Sequence, residues 1–155
     1  MQRVTNCILI HNNRILLLKK PRRGWYAIPG GKMEQGESIK ESVVREFWEE
    51  TSLQLLNPEV TGVFTFTVHD QIDEFVHEWM MFTFVCHDFK GVLTEHCNEG
   101  ILEWVETDKI SELPMAEGDK KIFKHVLSKS GMLYGSFSYT REYDLLDERL
   151  DPYTS

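Results

Sequence analysis

The sequence is short of several things that would have fixed its class at once. It has only three cysteines, Cys7, Cys86 and Cys97. Three is an odd number, and their positions lack the close pairing of a zinc or disulfide framework. They read as buried or incidental thiols, and the expectation is a protein of a reducing, cytoplasmic compartment. No apolar run is long enough to span a bilayer, and the first residues carry no signal-peptide pattern, so no membrane partner is expected. Positive charge is also scarce: 17 Lys and Arg stand against 25 Asp and Glu, a net charge of −8. That balance argues against a protein that coats nucleic acid, and no stable nucleic-acid partner is expected. There is no internal repeat and no linker, and 155 residues suit one domain with a proper core.

What is present centres on Gly31 to Leu53, a glycine loop running into an acidic helix. Ser38 is a good N-cap and Glu41, three residues on, completes a capping box, so the helix is predicted from Ile39 to about Glu50. Ile39, Val43 and Phe47 mark its core-facing stripe. At about 100° per residue Glu46 and Glu50 project into the same sector, with Glu49 on its edge. A solvated acidic face would not share its phase with the core. Like charges there need a cation, and Arg45 is expected to reach only Glu49 well, at i, i+4. The remaining charge calls for a divalent metal, and carboxylate oxygens suit Mg²⁺ or Mn²⁺. Lys32, directly after the glycines, is a candidate phosphate contact. Arg22 and Arg23 are either phosphate contacts or a solvated basic loop.

The spacing Gly31, Glu37, Arg45-Glu46-Phe47, Glu49-Glu50, Leu53 resembles the Nudix box of the MutT-like pyrophosphohydrolases. Ser52 departs from it, standing where the family usually has Gly, at a position that favours a left-handed residue. The resemblance implies a Nudix fold and cleavage of a nucleoside diphosphate linked to another group. It implies Glu46 and Glu50 as principal metal ligands, joined by the Gly30 carbonyl. Glu49 becomes a ligand or the water-orienting base, Arg45 the residue that holds the acids, and Glu37 a support for the helix or for a metal-bound water. A distal carboxylate often completes such sites. Glu99 stands where the MutT-like pattern puts it, with Glu95 as competitor.

The run Met115 to Asp119, with Leu133 to Phe137 further on, resembles the end of the 8-oxo-dGTP diphosphatases. There an Asp at the position of Asp119 reads the purine edge. Ala27 and Ala116 depart from that pattern, where those enzymes carry a purine-reading Asn and a Trp. Tyr26, Phe64, Phe66 and Trp79 are either base-stacking or core residues. The implied substrate is a nucleotide, foremost a purine (d)NTP such as 8-oxo-dGTP, cleaved to the monophosphate and pyrophosphate. Pyrophosphate removal from RNA 5′ ends and a non-catalytic nucleotide sensor remain open, as do monomer and homodimer.

Elsewhere the pattern predicts strands at Val4–Ile10 and Ile15–Leu18 joined at Asn12-Asn13, a short strand at 25–28, and long strands at 60–68 and 78–85. It adds a strand at 102–105, a helical turn at 107–113, a helix at 119–128 and a strand at 133–139. Arg141 to Ser155 is expected to pack loosely or fray as a tail. Strands on both sides of a central helix, with a second helix near the end, give an α/β/α sandwich around a mixed sheet.

Overall fold

The computed structural model describes residues 1–70, 74–94, 96–128 and 131–153. In chain order the strands are β1 (Gln2–His11), β2 (Arg14–Lys19), β3 (Tyr26–Ala27) and β4 (Gly30–Lys32) before helix α1 (Ile39–Thr51). Then follow β5 (Leu53–Leu56), β6 (Glu59–His69), β7 (Phe75–Cys86), β8 (Asp88–Gly91), β9 (His96–Cys97) and β10 (Gly100–Glu106). A 3₁₀ segment (Thr107–Glu112), helix α2 (Glu117–Ser128), β11 (Leu133–Thr140) and β12 (Leu145–Asp151) complete the fold.

The main sheet runs β12-β11-β6-β7-β1-β2-β10-β9, with β3 and β4 attached to β2 and β1. It is mixed: β1 pairs with β7, and β11 with β6, in parallel, and the other pairings are antiparallel. The centre explains the unbroken apolar runs of β1 and β2, because strands covered on both faces need no polar alternation. Cys7, Leu9, Leu16 and Leu18 face α1 through Val43 and Phe47. Ile8, Ile15 and Leu17 face the opposite core, built with Phe64, Phe66, Phe137 and the α2 residues Ile122 and Phe123. The result is the expected α/β/α sandwich.

Local signals account for the junctions. Asn12 and Asn13 both adopt left-handed backbone, with φ of 53° and 61°, which is the twist a tight hairpin needs. Ser52 caps α1 in left-handed geometry, with φ 66° and ψ 15°, and its N–H reaches Trp48 O. Among the described residues no helix is long and apolar enough to cross a membrane.

Three expectations need correction. Residues 145–151 are not a frayed tail but strand β12, paired along β11 from Tyr134 to Tyr139. An edge strand needs one ladder of main-chain bonds and tolerates charge on its open side. Here Leu145 and Leu150 pack on the core, and Glu148 meets Lys121 at 3.0 Å. The glycine stretch is not a loop from its start, since Gly30–Lys32 is itself a strand on β1, in register Asn6 to Gly30. Finally, β5 and β8 form a separate two-stranded sheet that sequence patterning did not single out.

Candidate active site

The acidic helix starts where its capping box puts it. Ser38 Oγ accepts from Glu41 N–H at 3.1 Å, and Ser38 N–H donates to Glu41 Oε1 at 2.8 Å. With that phase fixed, Arg45 becomes a hub, which corrects the expectation that it reaches only Glu49. Its Nε and Nη2 grip both oxygens of Glu37, at 2.6 and 2.8 Å. Nη1 donates to Glu46 Oε1 at 2.8 Å and Glu49 Oε2 at 3.1 Å, while Nη2 also reaches Lys32 O at 3.1 Å. The planar fork of a guanidinium is what permits this; a lysine could not do it. Arg45, helped by Glu34 N–H and only partly opposed by desolvation, holds the Glu37 carboxyl down at about 2.

Glu50 lies in a different environment. Gly30 N–H donates to its Oε1 at 3.2 Å, and Glu99 comes in from the loop before β10 to hydrogen-bond it. Burial, followed by the bond to Glu99 and its charge, pushes the Glu50 carboxyl up to about 9, with Gly30 N–H and Lys20 pulling the other way. Two carboxylates in contact repel, and a cation between them relieves the repulsion.

The two glycines permit this close assembly. A Cβ on Gly31 would sit 2.1 Å from Glu46 Oε2, and one on Gly30 would sit 2.1 Å from Thr5 O and 2.6 Å from Asn6 Cα. A side chain at Gly30 would force β4 off β1, and one at Gly31 would displace the Glu46 carboxylate.

Glu46, Glu99, Gly30, Lys32 and Asp119 line one cleft of about 510 Å³. Asp119, near the start of α2, has its carboxyl raised to about 7 by burial, with Lys20 opposing. Lys20, Ala27 and Asp119 also line a second cavity of about 450 Å³. Arg23 and Tyr26 belong to that cavity and not to the first. Arg23 Nη1 donates to Glu142 O at 3.0 Å and its guanidinium lies 5.0 Å from the Trp25 ring. Tyr26 Oη donates to Glu103 Oε1 at 2.8 Å.

Glu49 is exposed and, among the described residues, is held along the helix by Arg45. Phe64 and Phe66 are core residues, and Trp79 stacks on Phe66 at 5.2 Å, so that set builds the sheet and offers no free platform. Glu95 lies outside the described residues.

Two cleft residues escaped sequence reasoning. Lys20 stands in the sequence as one of a basic run with Lys19, Arg22 and Arg23. Its signal was strand parity, which puts it one step past β2 at the cleft mouth while Lys19 packs over Tyr26. Asn6 was hidden inside the apolar run of β1.

Among the described residues no three acidic, His or Cys side chains already converge as a cation cage. The donor set nevertheless fits a hard divalent ion in kind: the Glu50 and Glu99 carboxyls in contact, the Glu46 carboxylate lining the same cleft as Glu99, and backbone brought close by glycine.

The family model of the NUDIX domain matches residues 1–126. An uncharacterised Nudix hydrolase of Bacillus subtilis, YvcI, is 50% identical over 152 residues, covering 98% of this chain and 96% of its own. The crystal structure of the mutator MutT protein from Bacillus halodurans is 52% identical and superposes with a TM-score of 0.96 over 99% of both chains. The CTP pyrophosphohydrolase of Escherichia coli is 27% identical over 123 residues, 77% of this chain and 86% of its own.

Proposed function

The chain belongs to the NUDIX domain family and is a Nudix hydrolase; we propose that it cleaves a purine (d)NTP, 8-oxo-dGTP among the candidates, to the monophosphate and pyrophosphate. The observation that carries this reading is Glu50, held between Gly30 N–H and Glu99, beside a cleft that Gly30 and Glu99 line together with Asp119. Such a cleft offers charge chemistry at one end and a polar reader of a ring at the other.

Glu46, Glu50, Glu99 and the Gly30 carbonyl are the proposed holders of Mg²⁺, or Mn²⁺ in its place. When bound, the ion supplies charge neutralisation on the phosphate oxygens and a water acidic enough to attack phosphorus. Arg45 keeps Glu46 and Glu49 from splaying, which keeps the donor atoms in place before the substrate arrives. As the new P–O bond forms and the bridging P–O bond breaks, a carboxylate takes the proton of the attacking water. Glu49 and Glu99 both remain open for that role. Lys32 and Lys20 offset the phosphate charge that this acidic chain would otherwise repel. Asp119 reads the base.

The test is a phosphate-release screen with and without metal, across ordinary and oxidised (d)NTPs, dinucleotides and triphosphorylated RNA. Metal-dependent turnover strongest on a purine triphosphate is expected. A preference for pyrimidines, as the name of the E. coli relative would suggest, overturns the purine assignment and leaves the reaction class standing. A second reading, pyrophosphate removal from RNA, has one observation in its favour: the second cavity gathers Lys20, Arg22, Arg23 and Arg141 beside aromatic rings. The RNA arm of the screen separates the two. Every carboxylate of the box is present, which speaks against a non-catalytic sensor.

A further inference from the structure

The floor of the cleft holds a polar atom that the fold leaves without a partner, and a second lies buried behind it. Asn6 is only 7% exposed and lines the cleft. Its Oδ1 has no hydrogen-bond partner among the described residues. Its Nδ2 donates to Met81 Sδ at 3.2 Å, and a thioether is a weak acceptor. Thr83, the register partner of Asn6 across β1 and β7, is fully buried, and its Oγ1 also lacks a partner.

Unsatisfied buried polar atoms are costly, and native proteins keep few of them. An apolar side chain would remove the cost here, since Val4, Ile8, Ile28 and Met81 already supply apolar surroundings. A carboxamide kept at this spot is better explained by a ligand that completes its bonds. That ligand group must be a donor, because the open position is an acceptor. Phosphate oxygens only accept, and Lys20 and Lys32 already serve them. A nucleobase edge, with an N–H next to an acceptor, matches the paired acceptor and donor of an amide.

We propose that Asn6 is a specificity-determining residue whose carboxamide takes an N–H of the substrate's nucleobase, Met81 giving way to admit it. The inference rests on the nucleotide reading above but does not depend on turnover.

The test measures dissociation constants of wild type, Asn6→Leu and Asn6→Ala for a non-hydrolysable purine nucleoside triphosphate and for a ribose triphosphate without a base. The melting temperature of each free protein is measured in parallel. Both variants should weaken nucleotide binding roughly tenfold and leave the base-free ligand unchanged. Asn6→Leu should at the same time raise the melting temperature by about 2–4 °C, because it removes a buried orphan. Asn6→Ala, which adds no bulk beside Gly30, keeps the test decisive if Leu does not fit.

Equal losses for the base-free ligand would move the contact to the sugar or phosphate and overturn the assignment. A lower melting temperature with unchanged binding would make Asn6 a structural residue. If wild type hydrolyses nucleotides and Asn6 has no effect, only this inference falls. If wild type binds purine nucleotides through Asn6 and hydrolyses none, only the proposed activity falls.

Discussion

The two ends of the cleft are built on opposite principles. At the end marked by α1, side chains are held in place before any ligand arrives: one guanidinium binds Glu37, Glu46 and Glu49, and Gly30 N–H donates to Glu50. At the other end the bonds are incomplete. Asn6 Oδ1 and, buried behind it, Thr83 Oγ1 have no partner among the described residues, and burial pushes the Asp119 carboxyl up to about 7 against the pull of Lys20. Groups whose bonds are complete can orient a reaction common to many substrates. Groups whose bonds are incomplete can tell one substrate from another, since the right ligand removes a penalty that the wrong one leaves in place.

The sharpest way to break that contrast is at Glu50. Glu50→Gln keeps the side chain's shape and an acceptor for Gly30 N–H but removes the charge. Turnover at saturating Mg²⁺ should fall on the order of 10²–10³-fold, with far-ultraviolet circular dichroism unchanged. Near-normal turnover would remove the acidic helix from the mechanism and dissolve the distinction between the two ends. Arg45→Lys comes next. A lysine cannot grip Glu37 through two parallel bonds and reach Glu46 and Glu49 as well. The variant should lose about 2–3 kcal/mol of stability in denaturant unfolding, between the surface-pair and buried-pair limits for a residue that is partly exposed. Unchanged stability would mean that the hub is ornamental.

The same contrast explains what the sequence revealed. The α1 end was legible because helical periodicity, a capping box and fixed spacing all act within about twenty residues. Ser38, Glu41, Glu46 and Glu50 could be placed from phase alone. Even there Arg45 was undervalued, because helical neighbours suggest i, i+4 partners and say nothing of Glu37 in the loop before the helix, which folds back onto it. The base end draws on β1, β2, β7 and α2, distant in sequence, so no local pattern joins them. Asn6 between Thr5 and Cys7 looks like an interruption in a strand until β7 is laid beside it. Strand β12 was missed for a related reason: an edge strand needs neither alternation nor β-branched residues, only a partner with a free ladder.

At the base end Asp119→Ala sharpens the comparison. It should leave phosphate chemistry alone and reduce discrimination among purines by about 1–2 kcal/mol in kcat/KM ratios. The preference between oxidised and ordinary guanine should flatten, from a wild-type ratio already modest because Ala27 and Ala116 stand where an Asn and a Trp would grip the ring. Equal losses for purine and pyrimidine triphosphates would show that Asp119 supports the structure and does not read the base.

The smallest effect is the pH dependence that Asp119 should give the free protein. Burial raises its carboxyl from an ordinary value of 3.8 to about 7, against the pull of Lys20. Between those limits the folded chain holds a proton that the unfolded chain has released. Stability contributed by this group is therefore greatest at low pH, falls as pH rises from about 4 to about 7, and is level above. Asp119→Asn keeps the size and removes the titration, so the difference in unfolding free energy between variant and wild type should grow across that window and then stop growing. At a partly open site the total should be no more than about 1 kcal/mol, since solvent screens the buried charge. Every other titrating group, Glu50 and Glu99 included, is shared by the two proteins and drops out of the difference. A difference of the opposite sign, with wild type gaining on the variant as pH rises, would mean that Lys20 holds the carboxylate ionised in the folded state. In that case the base end would also be held by an ion pair before any ligand arrives, and the two ends would not differ in the way proposed.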